Sequence, residues 1–406
     1  MLKTKLGKSV YQAAVERIST TFDEFEKVYL SFSAGKDSTT MLHLVMDEAI
    51  KRGRKVGVLL VDLEGQYKIT IEHATECLKM YEDYIDKYWV CLPIHLRNAV
   101  SVYEPFWLCW DPNKKDDWIR QMPDGCISDT NYFDFFEKGM EFEEFVPQFG
   151  EWYAKGENTA CFVGIRSDES LNRFRSIARE DKQKYKNYKW TTKVSDNVYN
   201  IYPIYDWKVE DIWVYHSKFK DKPHNKLYDL MHQAGLTPSQ MRICQPYGDD
   251  QRRGLNLFHL IEPETWAKVV ARVSGANSGA LYIQESGNIN GYNKIKKPEG
   301  HTWESFAKLI LESMPSKTSE HYKNKIFIFQ EWWTARGYPD GIPDEADYKL
   351  EVSKKVPSWR RVCKTLLRND YWCKGLSFTQ TKSDAYDDYL KRVRAKRKSI
   401  NNLKMI

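Results

Sequence analysis

Through the first 95 residues, short apolar runs alternate with longer stretches whose apolar positions recur every three or four residues, the pattern of parallel strands covered by helices. Residues 27–32 (KVYLSF) predict a buried strand, and residues 38–51 set Met41, Leu42, Val45, Met46 and Ala49 at helical spacing. Residues 55–61 (KVGVLLV) predict a second strand, 69–84 a second helix, and 88–96 a third strand broken by Pro93. The expected fold is α/β, a doubly wound and mostly parallel sheet.

Over residues 103–156 this periodicity is lost, and Trp, Phe and acidic residues mix with Pro and Gly, as expected of an insertion. Regular patterns return as a strand at 160–165, a helix at 168–178, a strand at 198–204 and a helix at 209–219. Beyond Gly254 the pattern turns helical, with candidates at 263–273, 303–312, 321–335 and 357–367. A Ser/Gly/Asn-rich stretch at 274–293 reads as a loop or linker, and 391–406 as a basic, fraying tail. The expected division is a sheet domain over 1–254 and a mainly helical domain over 255–406.

Composition narrows the class. With 406 residues, 42% of them hydrophobic and 14% aromatic, the chain can bury a large core. A net charge of +6 is too small at this length to announce a nucleic-acid binder. The polar first 20 residues have neither the apolar stretch of a signal peptide nor a spanning segment, so the expected location is the cytoplasm. The eight cysteines form no C-x-x-C pair, which speaks for free thiols and against a zinc or iron–sulfur site.

The chemistry-bearing segment is Ser33-Ala34-Gly35-Lys36-Asp37-Ser38, between a predicted strand and a predicted helix. There, backbone N–H groups and the helix dipole meet an anion. Ser33, Ala34 and Gly35 are small enough for close approach, Lys36 neutralises charge, and the hydroxyls of Ser33, Ser38 and Thr39 donate hydrogen bonds. Asp37 would either hold magnesium or order the loop through backbone N–H groups. The bland alternative is a tight turn whose Ser and Asp merely cap the helix. The spacing is not that of a Walker A loop.

This segment resembles the PP-motif S-G-G-x-D-S of the N-type ATP pyrophosphatases, and three later segments resemble the 3′-phosphoadenylylsulfate (PAPS) reductase pattern in order. They are Val61-Asp62-Leu63-Glu64-Gly65, then Gly164-Ile165-Arg166-Ser167-Asp168-Glu169-Ser170 with Arg173, then Tyr202-Pro203-Ile204-Tyr205-Asp206-Trp207 leading to Asp211-Ile212-Trp213 and Asn225-Lys226-Leu227-Tyr228. The resemblance implies a PP-loop (HUP-like) fold that binds ATP or a PAPS/APS-like adenine nucleotide. Lys36, Arg166 and Arg173 would stabilise developing charge, the arginines by bidentate contacts. Asp62 or Glu64 would hold ribose or magnesium, Gly164 and Asp206 would lie on the nucleotide side, and Trp207, Trp213 and Tyr228 would be core. Magnesium would sit at Asp37 or Asp62.

Residues 357–373 resemble an uncharacterised branch of this family that includes the immunoglobulin-binding regulator A proteins, whose members are often paired with a ParB-like protein. The E-C-G-(I/L)-H motif of the assimilatory reductases is missing, and only Cys244 falls where iron–sulfur versions carry paired cysteines. The leading expectation is therefore cleavage of ATP between its α and β phosphates to adenylylate an acceptor, with sulfate adenylyltransferase or PAPS reductase chemistry as alternatives. A nucleotide-binding regulator is the reading from another class. For it, the basic, aromatic-interleaved segment 182–193 and the basic tail are either nucleic-acid contacts or solvated surface. Oligomers are compatible with all of these.

Overall fold

The computed structural model describes residues 7–170, 173–174, 177, 183–238, 240–243, 247–248, 255–276 and 295–378. The chain opens with α1 (Val10–Glu24), which the sequence patterning did not suggest. Ser9 and Gln12 close a capping box at its start, and Ala14, Ile18 and Phe22, four residues apart, form its buried stripe. Arg17 on the same face is buried too, which broke the apolar pattern along the sequence.

A six-stranded sheet follows, built from β1 (Lys27–Ser31), β2 (Val56–Val61), β3 (Ile85–Val90), β6 (Thr159–Val163), β7 (Thr191–Lys193) and β8 (Val198–Ile201). Its order is β3-β2-β1-β6-β8-β7, parallel throughout except for β7, which pairs antiparallel with β8 at the edge. Helices α2 (Lys36–Arg52) and α3 (Lys68–Met80) connect the first three strands. From β1 the chain winds outward to β3, then returns to β6 on the other side of β1. The order reverses between β1 and β6, and a crevice opens at the carboxyl ends of strands at such a switch point. The expected α/β fold with a mostly parallel sheet is the one observed.

The segment 103–156 is more regular than expected. Two short strands, β4 (His95–Arg97) and β5 (Phe106–Leu108), pair antiparallel, and α4 (Phe142–Ala154) is a three-turn helix ahead of β6. Phe145, Phe149 and Trp152 recur at helical spacing, and Phe149 meets the rings of Tyr29 on β1 and Tyr88 on β3 at 5.4 and 5.3 Å between centroids. Pro147 and the acidic residues hid this period. The predicted helix over 168–178 falls partly outside the described residues, as do most of the linker stretch 274–293 and all of the basic tail.

After β8 come α5 (Val209–Lys218), α6 (Leu227–Gln233), α7 (Leu255–Ile261) and α8 (Pro263–Arg272). The sheet core takes in Phe258, Trp266, Val269, Val273 and Ala276, past the boundary expected at residue 254. A second core unites α9 (Trp303–Glu312), α10 (Ser316–Thr334) and α12 (Trp359–Leu367) through Trp303, Ala307, Tyr322, Phe329, Val362 and Leu366, with α11 (Tyr348–Val352) beside them. It docks on the sheet domain by ring contacts of Phe106 with Tyr371 and Trp372 and by polar contacts. The Asn369 amide donates to the carbonyls of Ala99 and Ser101, and the Thr318 hydroxyl to that of Val102. Among the described residues no helix is long and apolar enough to cross a membrane.

Candidate nucleotide site at the switch point

β1 ends at Ser31 and α2 begins at Lys36, so residues 33–35 turn the chain over the carboxyl edge of the sheet beside the β1–β6 switch point. Ala34 has a φ of +55°, in the left-handed region, where a residue with a Cβ costs roughly 1 kcal/mol. The Asn225 amide holds it there, donating to the Ala34 carbonyl at 3.0 Å. Gly35 is the N-cap of α2 and supplies no side-chain cap, leaving that helix end to other acceptors. One is already present: the Lys36 N–H donates to the Tyr228 hydroxyl at 3.0 Å. The Ser33 and Ser38 hydroxyls lie 3.0 Å apart within the turn.

Three charged side chains converge here. Asp37, only 9% exposed, has Oδ1 2.5 Å from Arg166 Nε and Oδ2 3.2 Å from Lys36 Nζ. Lys36 Nζ also donates to the Met241 carbonyl at 3.3 Å. Asp168, 58% exposed, is a second carboxylate at Arg166, 3.8 Å from its NH1, so the two cations are balanced and the helix dipole supplies the net positive field. Arg166 is 3% exposed, and its NH1 is buried with no hydrogen-bond partner. A buried, orphaned guanidinium N–H is costly unless an acceptor completes it.

Gly164 makes this convergence geometrically feasible. A Cβ there would sit 2.9 Å from the Asp37 carbonyl oxygen and 3.0 Å from the Ser38 Cα, so only glycine lets the end of β6 press on the first turn of α2. Arg166, two residues on, then reaches Asp37. The second layer is histidine-rich. Thr39 Oγ1 lies 3.0 Å from His73 Nε2, and Thr40 Oγ1 3.1 Å from His216 Nε2. Burial pulls His73, His216 and the nearby His43 down to about 4, so all three are neutral at physiological pH.

Other residues expected at the nucleotide lie elsewhere in the network. Asp62 is fully buried and accepts from Trp89 Nε1 at 2.9 Å and from Arg120, while Glu64 accepts from the N–H groups of Trp110 and Ile119 and from Arg272 Nε at 3.0 Å. These two carboxylates fasten residues 110–120 and α8 to the end of β2. Asp206 forms a two-pronged pair with Arg17 of α1, at 2.8 and 2.7 Å. Arg173 is half-exposed beside Glu169, 3.8 Å away.

Both carboxylates expected at magnesium are matched by cations, Asp37 by Arg166 and Lys36, Asp62 by Arg120. No group of three or more His, Cys, Asp or Glu side chains among the described residues could hold a metal ion. These residues do not fit a built divalent-cation site. Cys244 lies outside the described residues. Cys363 and Cys373 are buried in the second core, which pushes both thiols up to about 12. In the basic segment, Tyr188 stacks on Trp190 at 5.0 Å and Tyr185 packs against Phe25 at 4.4 Å, all three segment rings being partly buried.

Trp207 and Tyr228 are core residues as expected, yet Tyr228 also braces the β1–α2 turn through its hydroxyl. Asn225, Tyr228, His73 and His216 are the supports that the sequence did not mark as functional. No local spacing links Asn225 to Ala34, 191 positions away.

A strand, a helix N-terminus and a buried lysine–aspartate–arginine cluster at a switch point define an α/β domain suited to binding phosphate. The family model described as "Phosphoadenosine phosphosulfate reductase domain" matches residues 27–234, just over half of the chain, and the chain belongs to that family. A second model, "Domain of unknown function (DUF3440)", matches residues 235–340 and 338–386. The uncharacterized protein YbdN of Escherichia coli (strain K12) is 44% identical over 398 residues, 97% of each chain.

Among solved structures, a PAPS reductase from Candida auris in a phosphate complex matches 57% of this chain and 94% of its own at 14% identity, with a TM-score of 0.32. The Candida glabrata FMN adenylyltransferase in complex with FAD and inorganic pyrophosphate matches 56% of this chain at 14% identity and a TM-score of 0.32. The match spans 63% of that enzyme, less than two thirds of its length. Similarities of this size carry no argument about individual residues.

Proposed function

We propose that the chain is a PP-loop ATP pyrophosphatase that binds ATP at the β1–α2 turn and cleaves it between the α and β phosphates to adenylylate an acceptor. The observation that carries the reading is the buried NH1 of Arg166, which has no hydrogen-bond partner, beside Lys36 at a helix N-terminus whose N-cap residue supplies no side-chain cap. An acceptor oxygen attacks the α phosphorus, the bond to the bridging oxygen breaks, and pyrophosphate leaves with that electron pair. Lys36, Arg166 and the first N–H groups of α2 are placed to stabilise the charge that gathers on the leaving group. Asp37 is a positioning residue that holds Lys36 and Arg166 a few ångströms apart. Because the residues present do not form a cation site, no step is routed through magnesium.

Pyrophosphate and AMP release from ATP, with and without magnesium, tests the reading for the parent chain and Lys36→Ala. Sulfate, RNA, DNA and a ParB-like protein are added in turn. Release that needs Lys36 supports it, and the stimulating additive identifies the acceptor class. Measurable ATP binding with no release under any condition would replace it by a nucleotide-binding regulator. The absent reductase cysteine motif supports an adenylylating reading over PAPS reduction.

A further inference from the structure

A cavity of about 530 Å³ lies in the helical region and is lined by residues of α9, α11 and α12 and of the segments that follow α11 and α12. Its volume falls in the range of about 300–1,000 Å³ typical of small-molecule sites. Five cationic residues line it, Lys354, Arg360, Arg361, Lys364 and Arg368, against two carboxylates, Glu351 and Asp370. Hydrogen bonding settles part of this imbalance, since Arg360 also pairs with Glu345 at 2.6 Å. Glu351 is committed to Arg360 at 2.8 Å and to the Ala346 N–H at 2.9 Å, and Asp370 accepts from the Gly375 N–H at 2.6 Å.

Arg361 is 5% exposed and donates through NH1 and NH2 to the carbonyls of Val356 and Gly375, neutral groups, with Glu351 the carboxylate that acts on its charge. Its Nε is buried with no hydrogen-bond partner, and so is Nε1 of Trp303, also 5% exposed. Two orphaned buried N–H groups on one cavity wall are unusual in a folded chain. Lys364 lies 5.9 Å from the centre of the Tyr348 ring, and burial together with Arg368 pushes its ammonium down from the ordinary lysine value. An anion would satisfy the donors and the charge together, while Tyr348 and Trp303 offer flat apolar surface to a ring.

We infer that this cavity binds a phosphate ester of mononucleotide size, its oxyanion on Arg361, Lys364 and the Trp303 indole N–H and its planar ring against Tyr348. The site is separate from the phosphate loop and built on the second core, within the part matched by the model of unknown function.

The test is calorimetric titration of the full chain with AMP and with inorganic phosphate, in the parent and in Lys36→Ala. Lys36→Ala keeps AMP binding at this cavity, with phosphate as a weaker competitor. Adding Lys364→Glu weakens AMP by roughly tenfold or more through loss of a charged contact, and adding Trp303→Phe, which keeps a smaller aromatic ring and deletes one donor, weakens it several-fold. Urea midpoints check that both variants fold; if Lys364→Glu does not, Trp303→Phe decides. AMP affinity unchanged in the folded variants, or no AMP or phosphate bound by Lys36→Ala, overturns the inference. Binding of a short RNA that depends on Lys364 while AMP does not bind also overturns it, in favour of a nucleic-acid contact. Parent and Lys36→Ala binding the same number of AMP molecules would count against the phosphate-loop reading and leave this one standing.

Discussion

The Tyr228 hydroxyl accepts a hydrogen bond from the backbone N–H of Lys36 at 3.0 Å, so a side chain from α6 covers a donor that the phosphate loop would offer to a nucleotide. Tyr228→Phe keeps the ring and leaves that N–H unsatisfied, at a cost of roughly 1–3 kcal/mol. The expected result is a lower Tm without nucleotide and a larger upward Tm shift on adding ATP than in the parent, read by differential scanning fluorimetry. Equal shifts would mean that the nucleotide does not use this donor.

Gly164 and Gly35 separate two kinds of glycine. Gly164→Ala drives a methyl group into backbone atoms of Asp37 and Ser38, 2.9 and 3.0 Å away, so the loop must move. Overpacking of this kind costs about 1–3 kcal/mol, and ATP affinity falls with it. At Gly35 the nearest atoms are the side-chain oxygens of Tyr228 and Ser33 at 3.4 and 3.5 Å, and φ is −79°, so Gly35→Ala folds with stability within about 1 kcal/mol of the parent. Urea unfolding and ATP titration of both variants check the contrast.

Glu64→Ala is the strongest destabiliser expected in the sheet domain. It strands the buried Arg272 guanidinium and two backbone donors, and breaking a buried pair from one side costs about 3–5 kcal/mol. Asp206→Asn alters the Arg17 pair, whose carboxylate is 29% exposed, and costs roughly 1 kcal/mol. Chemical denaturation ranks them; equal losses would contradict the assigned hub role of Glu64.

Stability falls on acidification. His43, His73 and His216 have folded values near 4 against an ordinary 6.5, so below about pH 6.5 the unfolded chain binds more protons than the folded one. Each then removes up to about 1.4 kcal/mol per pH unit until its folded value is passed near 4. Glu141, raised to about 7 by burial and by Glu143 and Glu144, acts in the opposite direction between about 4.5 and 7, but it is one group against three. Urea midpoints at pH 7, 6 and 5 should decline steadily. A flat profile would mean that these histidines are not held neutral.

Thiol labelling distinguishes the described cysteines. Burial pushes Cys77, Cys161, Cys363 and Cys373 up to about 12, whereas Cys126 is half-buried and a hydrogen bond from Cys91 holds it below its ordinary value. In native protein, mass spectrometry after brief iodoacetamide treatment should find Cys126 modified and those four protected. Labelling of the four at a similar rate would show that the cores open readily.

Much of the architecture was legible in the chain because strands buried on both faces and their covering helices leave periodic apolar patterns. β1, β2, α2 and α9 fall within a few residues of expectation for that reason. α1 and α4 escaped because a buried arginine in one, and a proline among aromatics and acids in the other, disguised the helical period.

Sequence by itself determined the β1–α2 turn, since a strand, small residues, a lysine and a helix start are contiguous and their relation is local. It also placed Gly164 and Arg166 at the end of another strand. Only the tertiary structure decided which charged side chains meet. Sheet order brings β6 against β1 and so Arg166 to Asp37, while Asp62, Glu64 and Asp206 are drawn to Arg120, Arg272 and Arg17. Those pairings span from 58 to 208 positions of chain, too far for any sequence period to encode, and they form because buried carboxylates must find cations.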